Sequence, residues 1–335
     1  MRVTVLGAGY MGTAMAQVAA MRGHDVRLWG TWLDDTLVEA VEQGREHPRL
    51  KLKLDPKITP LRSDRLGEAL EGAELVVQGI SSEGAVAVMT RAAAHLPDVP
   101  VLSVTKGFLP AKDGRMHRID EIVAETVGRK VRFVHAAGPA KAIEVARRVL
   151  TLMFFASADE ADARACAEAV GGDHLRVTTS SDIAGAEICS ALKNAYATGL
   201  GIWDGFVGPD CHNARAACFQ QAVIEMALLA GVGGGKVETA YGAPGVGDLH
   251  VTAAAGRNRA FGENIGKGKP AKQVATEMAA INQLTEGYPA IASAWRWAKE
   301  QGVAARDLPL LHVLHRIVWE DVPVKDALAG LELST

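Results

Sequence analysis

The sequence contains few cysteines, and their spacing does not suggest a metal or redox site. Its 335 residues include four: Cys166, Cys189, Cys211 and Cys218. The absence of a Cys-x-x-Cys pair argues against both a zinc module and a redox-active dithiol. We therefore expect reduced thiols in the protein interior and no bound metal.

The sequence also lacks long apolar runs and a strong excess of charge of one sign. No stretch reaches the ~20 uncharged residues that a membrane-spanning helix needs, and the formal net charge is −3. The first residues enter a strand-like run directly, without the basic and apolar regions of a secretory signal. We therefore expect a cytoplasmic protein with no membrane or nucleic-acid partner, whereas small anionic ligands are compatible with this charge.

A glycine-rich turn near the amino terminus predicts a dinucleotide site. An apolar strand over 3–6 leads into Gly7, Gly9 and Gly12, which are followed by a helix of small residues and a second strand over 25–29. Glycines in this setting permit a tight turn and let the backbone approach a pyrophosphate, while the amides of the helix N-terminus bind it.

The residues after the second strand do not decide between NAD and NADP. An NAD site usually offers an acidic residue to the ribose at this point, and an NADP site usually offers an arginine. Here Gly30 and Thr31 follow the strand, and Asp34 and Asp35 come later, where they can instead begin the next helix. The sequence therefore predicts NAD or NADP as the cofactor.

Strands and helices continue to alternate up to residue 180, which favours a parallel, doubly wound sheet that binds ligands beyond the carboxyl ends of its strands. Lys106 follows one such strand, so it is a candidate site residue; from its position alone, a surface loop lysine is an equal alternative. Further strands are predicted at 74–80, 99–105, 130–135, 151–156 and 175–178, and helices at 84–95, 114–127 and 159–170.

Helices dominate from residue 181, which predicts two domains, 1–180 and 181–335. The first helix, over 181–202, consists mainly of small and apolar residues and carries Lys193 and Asn194 in its middle. A buried ammonium needs a carboxylate or a polar cleft. A lysine whose charged end reaches the surface is the alternative explanation.

Two later motifs suggest binding of a phosphorylated substrate. A loop over 241–252 holds Asp248 between glycine and leucine, and Arg257 and Asn258 follow it. A planar guanidinium and an amide donor suit a phosphate group, although a solvated basic turn is the alternative. A nicotinamide enzyme that reduces a carbonyl also needs a proton donor, for which a lysine is suitable.

In their order and spacing these motifs resemble the NAD(P)-dependent glycerol-3-phosphate dehydrogenase family over nearly the whole chain. The resemblance implies an α/β protein with an N-terminal Rossmann-like dinucleotide-binding domain and a C-terminal all-helical domain that forms a homodimer. It also implies interconversion of sn-glycerol 3-phosphate and dihydroxyacetone phosphate by hydride transfer at C2. The matching segments are 7–12, 103–107, 138–139, 191–194, 201–205, 213–217, 245–249, Thr252, 257–259 and 286–287.

The resemblance also assigns roles to individual residues. Lys193 matches the general acid/base, with Lys106 and Asp248 as the other catalytic positions. The substrate-binding positions are Lys106, Asn194, Thr252, Arg257 and Asn258. The cofactor-binding positions are Gly7, Gly9, Tyr10, Met11, Gly12, Lys106, Ala142, Arg257 and Glu286.

Some positions depart from the family pattern. Ala140 and Lys141 replace a polar and an aromatic residue, Thr31 stands where an arginine is expected, and Trp203 and residues 209–212 change the segment after the first long helix. Three alternatives therefore stay open: a related dehydrogenase acting on another phosphorylated or phosphonate hydroxy compound, one of the 6-phosphogluconate or hydroxy-acid type, and a non-catalytic NAD(P)-binding sensor.

Overall fold

The chain folds into two compact units in the computed structural model, which describes residues 1–281 and 283–332. The first unit comprises Met1–Lys106 and Ile119–Ile183, and the second comprises Gly107–Arg118 and the chain from Ala184 onward. The sequence pattern did not predict that 107–118 packs with the second unit. The domain limits 1–180 and 181–335 stay a prediction.

The first unit is built on an eight-stranded sheet, and a two-stranded hairpin belongs to the second unit. The strands are β1 (Arg2–Leu6), β2 (Asp25–Trp29), β3 (Ile58–Leu61), β4 (Leu75–Gln78), β5 (Val101–Ser103), β6 (Leu109–Pro110), β7 (Met116–His117), β8 (Phe133–Ala137), β9 (Thr151–Ala156) and β10 (Leu175–Ser180). Their order in the sheet is β10-β9-β8-β5-β4-β1-β2-β3, and β6 and β7 form the hairpin.

The prediction of an all-parallel sheet is wrong at one edge. β9 pairs antiparallel with β8, and β10 runs parallel to β9, so these two strands oppose the other six. A buried strand has the same apolar pattern in either direction, so the reversal of these two strands leaves no mark in the sequence. The helix predicted over 114–127 is also shorter than expected, because β7 occupies its first part.

Helices cover the sheet of the first unit, and buried small residues let the first of them pack closely on it. In that helix Ala14, Ala16 and Ala19 are fully buried. The helices are α1 (Tyr10–Met21), α2 (Asp35–Glu42), α3 (Leu66–Leu70), α4 (Ser82–Ala92), α5 (Ile119–Val127), α6 (Ala142–Ala146) and α7 (Glu160–Val170).

The described part of the second unit is helical apart from its hairpin and has its own apolar core around its longest helix, Ile183–Phe206. Its helices are α8 (Ile183–Phe206), α9 (His212–Val232), α10 (Asp248–Ala254), α11 (Arg257–Gly266), α12 (Ala271–Ala280), α13 (Gly287–Glu300), α14 (Pro309–Trp319) and α15 (Val324–Ala329).

The described residues contain no helix with both the length and the apolar character needed to cross a bilayer. They also contain no cluster of three or more His, Cys, Asp or Glu side chains suited to a metal ion. All four cysteines are buried. Burial raises the pKa of the Cys166 thiol to about 12, so that thiol stays protonated at neutral pH.

A buried carboxyl group joins three helices of the second unit. The two carboxyl oxygens of Glu225 accept hydrogen bonds from the backbone N–H groups of Leu310 and Leu311, at 2.7 and 3.0 Å, in the first turn of α14. The Tyr196 hydroxyl donates to the same group at 2.8 Å. Burial raises the pKa of Glu225 from 4.5 to about 7, although these hydrogen bonds oppose the rise.

Substitution Glu225→Ala is expected to lower the free energy of unfolding by about 3 kcal/mol, because it leaves buried donors without their acceptor. The native state holds the Glu225 proton more tightly than the unfolded chain, so the stability that this group contributes is lost as pH rises from 4.5 to about 7. Urea unfolding should therefore show a larger loss at about pH 5 than at about pH 8.

The matched control is Glu238→Ala, which removes an exposed carboxylate from the same unit and should change stability by less than about 0.5 kcal/mol. Equal stability of the Glu225 and Glu238 variants would contradict the capping role of Glu225.

Candidate active site

The glycine-rich turn connects β1 to α1 and depends on backbone contacts that a side chain would block. Gly7 has φ +104°, and a Cβ there would lie 2.8 Å from the carbonyl oxygen of Gly79, which follows β4. A Cβ on Gly12 would overlap the carbonyl oxygen of Gly7. The backbones of β1, β4 and the start of α1 are therefore packed directly against one another, with no room for a side chain between them.

The outer face of the same turn is open. Apart from its chain neighbours, a Cβ on Gly9 would meet, among the described residues, only the Arg49 guanidinium within 4 Å, at 3.5 Å. α1 begins after Gly9 with no side-chain cap and no acid in its first turn, so its first amides can bind an anion. The residues present fit the pyrophosphate of a dinucleotide. The cofactor contacts of Gly7, Gly9, Tyr10, Met11 and Gly12 stay a prediction.

Asp34 supports this turn, a role that the sequence did not indicate. Its side chain is buried, and Oδ2 accepts hydrogen bonds from the N–H and hydroxyl of Thr31, at 3.0 and 2.8 Å. The N–H of Ala8, inside the glycine turn, approaches the same oxygen at 3.4 Å. The carboxylate therefore binds its own loop and the turn rather than facing outward.

His47 supports the turn from the other side and was also missed. Its Nδ1 accepts from the N–H of Leu50 at 3.3 Å, so Nε2 carries the proton and donates to the carbonyl oxygen of Ala8 at 3.0 Å. Burial lowers the pKa of His47, which keeps the ring neutral. No local pattern in the sequence marks a lone histidine of this kind.

Two further predicted residues lie in the first unit. Lys106 follows β5 and is half-buried. Ala142 is the first residue of α6, which packs against α1. Just before it, Lys141 reaches Glu144 at 3.4 Å between Nζ and Oε1, so this departure from the family pattern forms a local ion pair.

Lys193 pairs with an acid in the second unit. Its Nζ donates to Oδ1 of Asp248 at 2.6 Å and to Oγ1 of Thr252 at 3.2 Å. The Lys193 side chain is 13% exposed and that of Asp248 only 1%. Of the two environments expected for a buried ammonium, a carboxylate partner or a polar cleft, the structure shows the carboxylate partner. The alternative, in which the charged end of Lys193 reaches the surface, is wrong.

Asp248 is held at the start of α10 by an irregular turn. The preceding residues, Ala243–Gly247, form a π-helical turn in which Gly245 packs against the backbone of Ala240. Thr252 lies one turn beyond Asp248 in α10, and its hydroxyl also donates to the Asp248 carbonyl at 2.6 Å. Both side chains therefore face Lys193 from one side of α10.

A second group of predicted residues forms a hydrogen-bonded chain beside Lys193. The amide of Asn194 donates to Oε2 of Glu286 at 2.9 Å and accepts from the amide of Asn258 at 2.8 Å. The side-chain oxygen of Asn258 also accepts a hydrogen bond from the N–H of Gly287 at 2.9 Å. Nη2 of Arg257 lies 3.5 Å from Oε1 of Glu286. This chain links α8 to the first residues of α11 and α13.

The start of α11 is suited to an anion. Gly256 precedes the helix with φ +144°, a conformation that side chains disfavour. Arg257 follows with a side chain that is 41% exposed, so a guanidinium stands beside the first amides of the helix. Arg259, by contrast, binds the buried Asp204 at 2.7 Å. Arg257 is therefore exposed beside the helix start, whereas Arg259 forms an ion pair with a buried carboxylate.

The structure thus brings seven of the predicted residues together in the second unit, namely Lys193, Asn194, Asp248, Thr252, Arg257, Asn258 and Glu286. The glycine turn, Lys106 and Ala142 belong to the first unit. A chain with a dinucleotide turn, a lysine held by a carboxylate and an anion-binding helix start has the features of a nicotinamide-dependent dehydrogenase.

The chain belongs to the NAD-dependent glycerol-3-phosphate dehydrogenase family. Residues 2–163 match the model for the N-terminus of that family and residues 182–329 match the model for its C-terminus. The predicted family, the fold class and the assignment to NAD(P)-dependent oxidoreductases, with NAD or NADP as cofactor, are confirmed. The roles of individual site residues stay predictions.

Relatives that are 34% and 35% identical to this chain align with it over nearly its whole length. An NADP(+)-dependent glycerol-3-phosphate dehydrogenase from Archaeoglobus fulgidus is 34% identical, covering 100% of this chain and 99% of its own. A glycerol-3-phosphate dehydrogenase [NAD(P)+] from Thiobacillus denitrificans is 35% identical, covering 99% and 97%. The crystal structure of glycerol-3-phosphate dehydrogenase from Coxiella burnetii superposes with a TM-score of 0.86 at 31% identity, covering 98% of each chain.

Substitution Lys193→Ala is expected to lower kcat by about 10²- to 10⁴-fold, the usual contribution of a positioned proton donor. Cofactor affinity, measured by fluorescence titration, should change little. Asp248→Asn keeps the shape of the side chain but removes the charge that holds the ammonium, so it should lower kcat by at least about tenfold.

Lys272→Ala, at an exposed position on α12, is the matched control and should keep wild-type kcat. Near wild-type turnover by Lys193→Ala would rule out the predicted role of this lysine.

Proposed function

We propose that this protein interconverts dihydroxyacetone phosphate and sn-glycerol 3-phosphate, using NADH or NADPH, with Lys193 as the proton donor to the C2 oxygen. The observation that carries the proposal is the contact of Lys193 with Asp248 and Thr252, at 2.6 and 3.2 Å in a nearly buried position. The names of the Archaeoglobus and Thiobacillus relatives support the choice of substrate.

Lys193 holds the proton that the reaction consumes. The nicotinamide cofactor supplies the hydride when bound. An ammonium has three N–H bonds, and among the described residues Asp248 and Thr252 take two of them. The third can donate to the C2 oxygen, so that carbonyl, hydride and proton together give the alcohol. In the reverse direction the neutral amine accepts the proton.

Asp248 compensates the charge of the ammonium and fixes its position. Its buried carboxylate balances the ammonium in a site from which water is largely excluded. Thr252 adds a second contact from the same helix and limits the positions that Nζ can take. A proton donor held in one geometry lowers the entropic cost of reaching the transition state.

The phosphate group of the substrate is assigned to the start of α11. Arg257 can form a bidentate pair with phosphate oxygens, and the first amides of the helix add neutral donors. Asn258 is buried and already bonded to Asn194 and Gly287, so we assign it to holding the helix start beside Asn194. Both arginine and asparagine positions lie in the same unit as Lys193.

The proposal is tested by oxidation of NADH and NADPH with purified protein. Dihydroxyacetone phosphate should be turned over, whereas dihydroxyacetone, which lacks the phosphate, should lose at least about 10²-fold in kcat/KM because the contacts at α11 are not formed. Arg257→Ala should raise KM for the phosphorylated substrate more than it changes kcat. A phosphonate analogue in the same panel tests the related-dehydrogenase alternative.

Absence of turnover with dihydroxyacetone phosphate, in protein that binds either cofactor, would refute the proposed substrate. The homodimer and the cytoplasmic location expected from the sequence stay predictions, and light scattering of the purified protein tests the first.

A further inference from the structure

The first carboxylate after the second strand, near the position that usually selects between the two nicotinamide cofactors, is turned inward in this chain. In an NAD site an acidic residue after the second strand binds the ribose hydroxyls. Here Asp34 is only 6% exposed, and its Oδ2 is bonded to Thr31 and directed at Ala8. Asp34 would therefore have to break these bonds to reach a ribose.

Two arginines instead contact the segments that meet at this edge of the sheet. β1 and β2 are parallel neighbours, so the glycine turn after β1 and the loop after β2 meet at one edge. The Arg49 guanidinium stacks over the Tyr10 ring, with Cζ 5.7 Å from its centroid, and lies next to Gly9. The Arg91 guanidinium stacks over Trp32, with Cζ 4.3 Å from the ring centroid.

The aromatic partners show that both guanidinium groups border open surface. Tyr10 is 48% exposed and Trp32 is 39% exposed, and Tyr10 is the first residue of α1. Stacking fixes the plane of a guanidinium and leaves the N–H groups at its edge available to an anion. One cation therefore stands beside the glycine turn and the other beside the loop after β2, the two segments that flank the adenosine ribose of a dinucleotide bound at such a turn.

We propose that this chain prefers NADPH to NADH and that Arg49 and Arg91 bind the 2′-phosphate of NADPH. The inference rests on the proposed function only in that the protein binds a nicotinamide cofactor. A phosphate monoester carries close to two negative charges at neutral pH and offers three acceptor oxygens, which match two guanidinium forks. NADH offers only hydroxyl groups at this position.

One acidic side chain could favour the opposite preference. Asp35 is exposed in the first turn of α2, one residue after Asp34. A carboxylate is favourable at a helix N-terminus whether or not a ligand is present. If Asp35 bound the ribose hydroxyls, NADH would bind at least as tightly as NADPH. The measured cofactor preference therefore decides whether Asp35 or the two arginines dominate at this position.

The test is equilibrium binding of NADPH and NADH without substrate, by protein fluorescence or calorimetry, with 2′-AMP and 5′-AMP as fragment probes. Wild-type protein should bind NADPH at least about tenfold more tightly than NADH, and 2′-AMP more tightly than 5′-AMP. Arg49→Ala and Arg91→Ala should each weaken NADPH by about five- to tenfold and change NADH by less than about twofold. The double variant should lose the preference.

The control is Arg45→Ala, which removes an exposed arginine four residues before Arg49. Arg45 Nε donates to Oε1 of Gln43 at 2.9 Å, and its loss should leave the affinities for NADPH and NADH unchanged. Equal weakening of NADH and NADPH by Arg49→Ala would place this residue at the pyrophosphate and overturn its assignment. If only one of these two single variants loses affinity for NADPH selectively, the assignment of the other arginine is overturned. Wild-type protein that binds both cofactors equally would refute the preference, whereas protein that binds neither would refute the proposed function.

Discussion

The ion pair between Lys193 and Asp248 sets the strongest requirement on this structure. The two residues are 55 apart in the sequence, yet Nζ and Oδ1 lie 2.6 Å apart and the carboxylate is almost fully buried. Each charge is acceptable in the interior only while the other is present, because an uncompensated buried charge costs several kcal/mol. The position of α10 relative to α8 is therefore critical, and the π-helical turn over Ala243–Gly247 leads directly into Asp248.

Close helix packing brings the other polar residues to the same place. A Cβ on Gly201 of α8 would overlap the backbone of Arg259 in α11, and a Cβ on Gly262 of α11 would overlap the backbone of Thr198 in α8. The two helices can approach to backbone distance only because glycine stands at these positions. That approach is what lets Asn258, in the first turn of α11, bond to Asn194 in α8.

The sequence predicted the secondary structure well where local signals were strong. β2 and β9 were predicted with their observed limits. β3 was missed because it is a four-residue edge strand containing Pro60, and proline disfavours a strand assignment. The hairpin of β6 and β7 was missed because its strands have two residues each, too few to show a period.

Site residues were likewise predicted only where the local sequence carried a signal. The charge of Lys193 in an apolar helix indicated that it needed a partner, and the structure supplied Asp248 and Thr252. Asp34 and Asp35 fit a helix start in the sequence, and α2 does begin at Asp35, but the Asp34 side chain turns back to Thr31 and Ala8. His47 gave no signal at all. Contacts of this kind depend on which loops the fold brings together, and local sequence does not contain that information.

The central claim is that the ammonium of Lys193 delivers the proton to C2, and chemical rescue of Lys193→Ala tests it most directly. Small alkylammonium ions fit the space that the lysine side chain leaves, so added ethylamine should restore turnover in a saturable manner by at least about tenfold. Lys272→Ala should show no such response. If amines leave the rate of Lys193→Ala unchanged while cofactor and dihydroxyacetone phosphate still bind, Lys193 is not the proton donor and the account of this site is wrong.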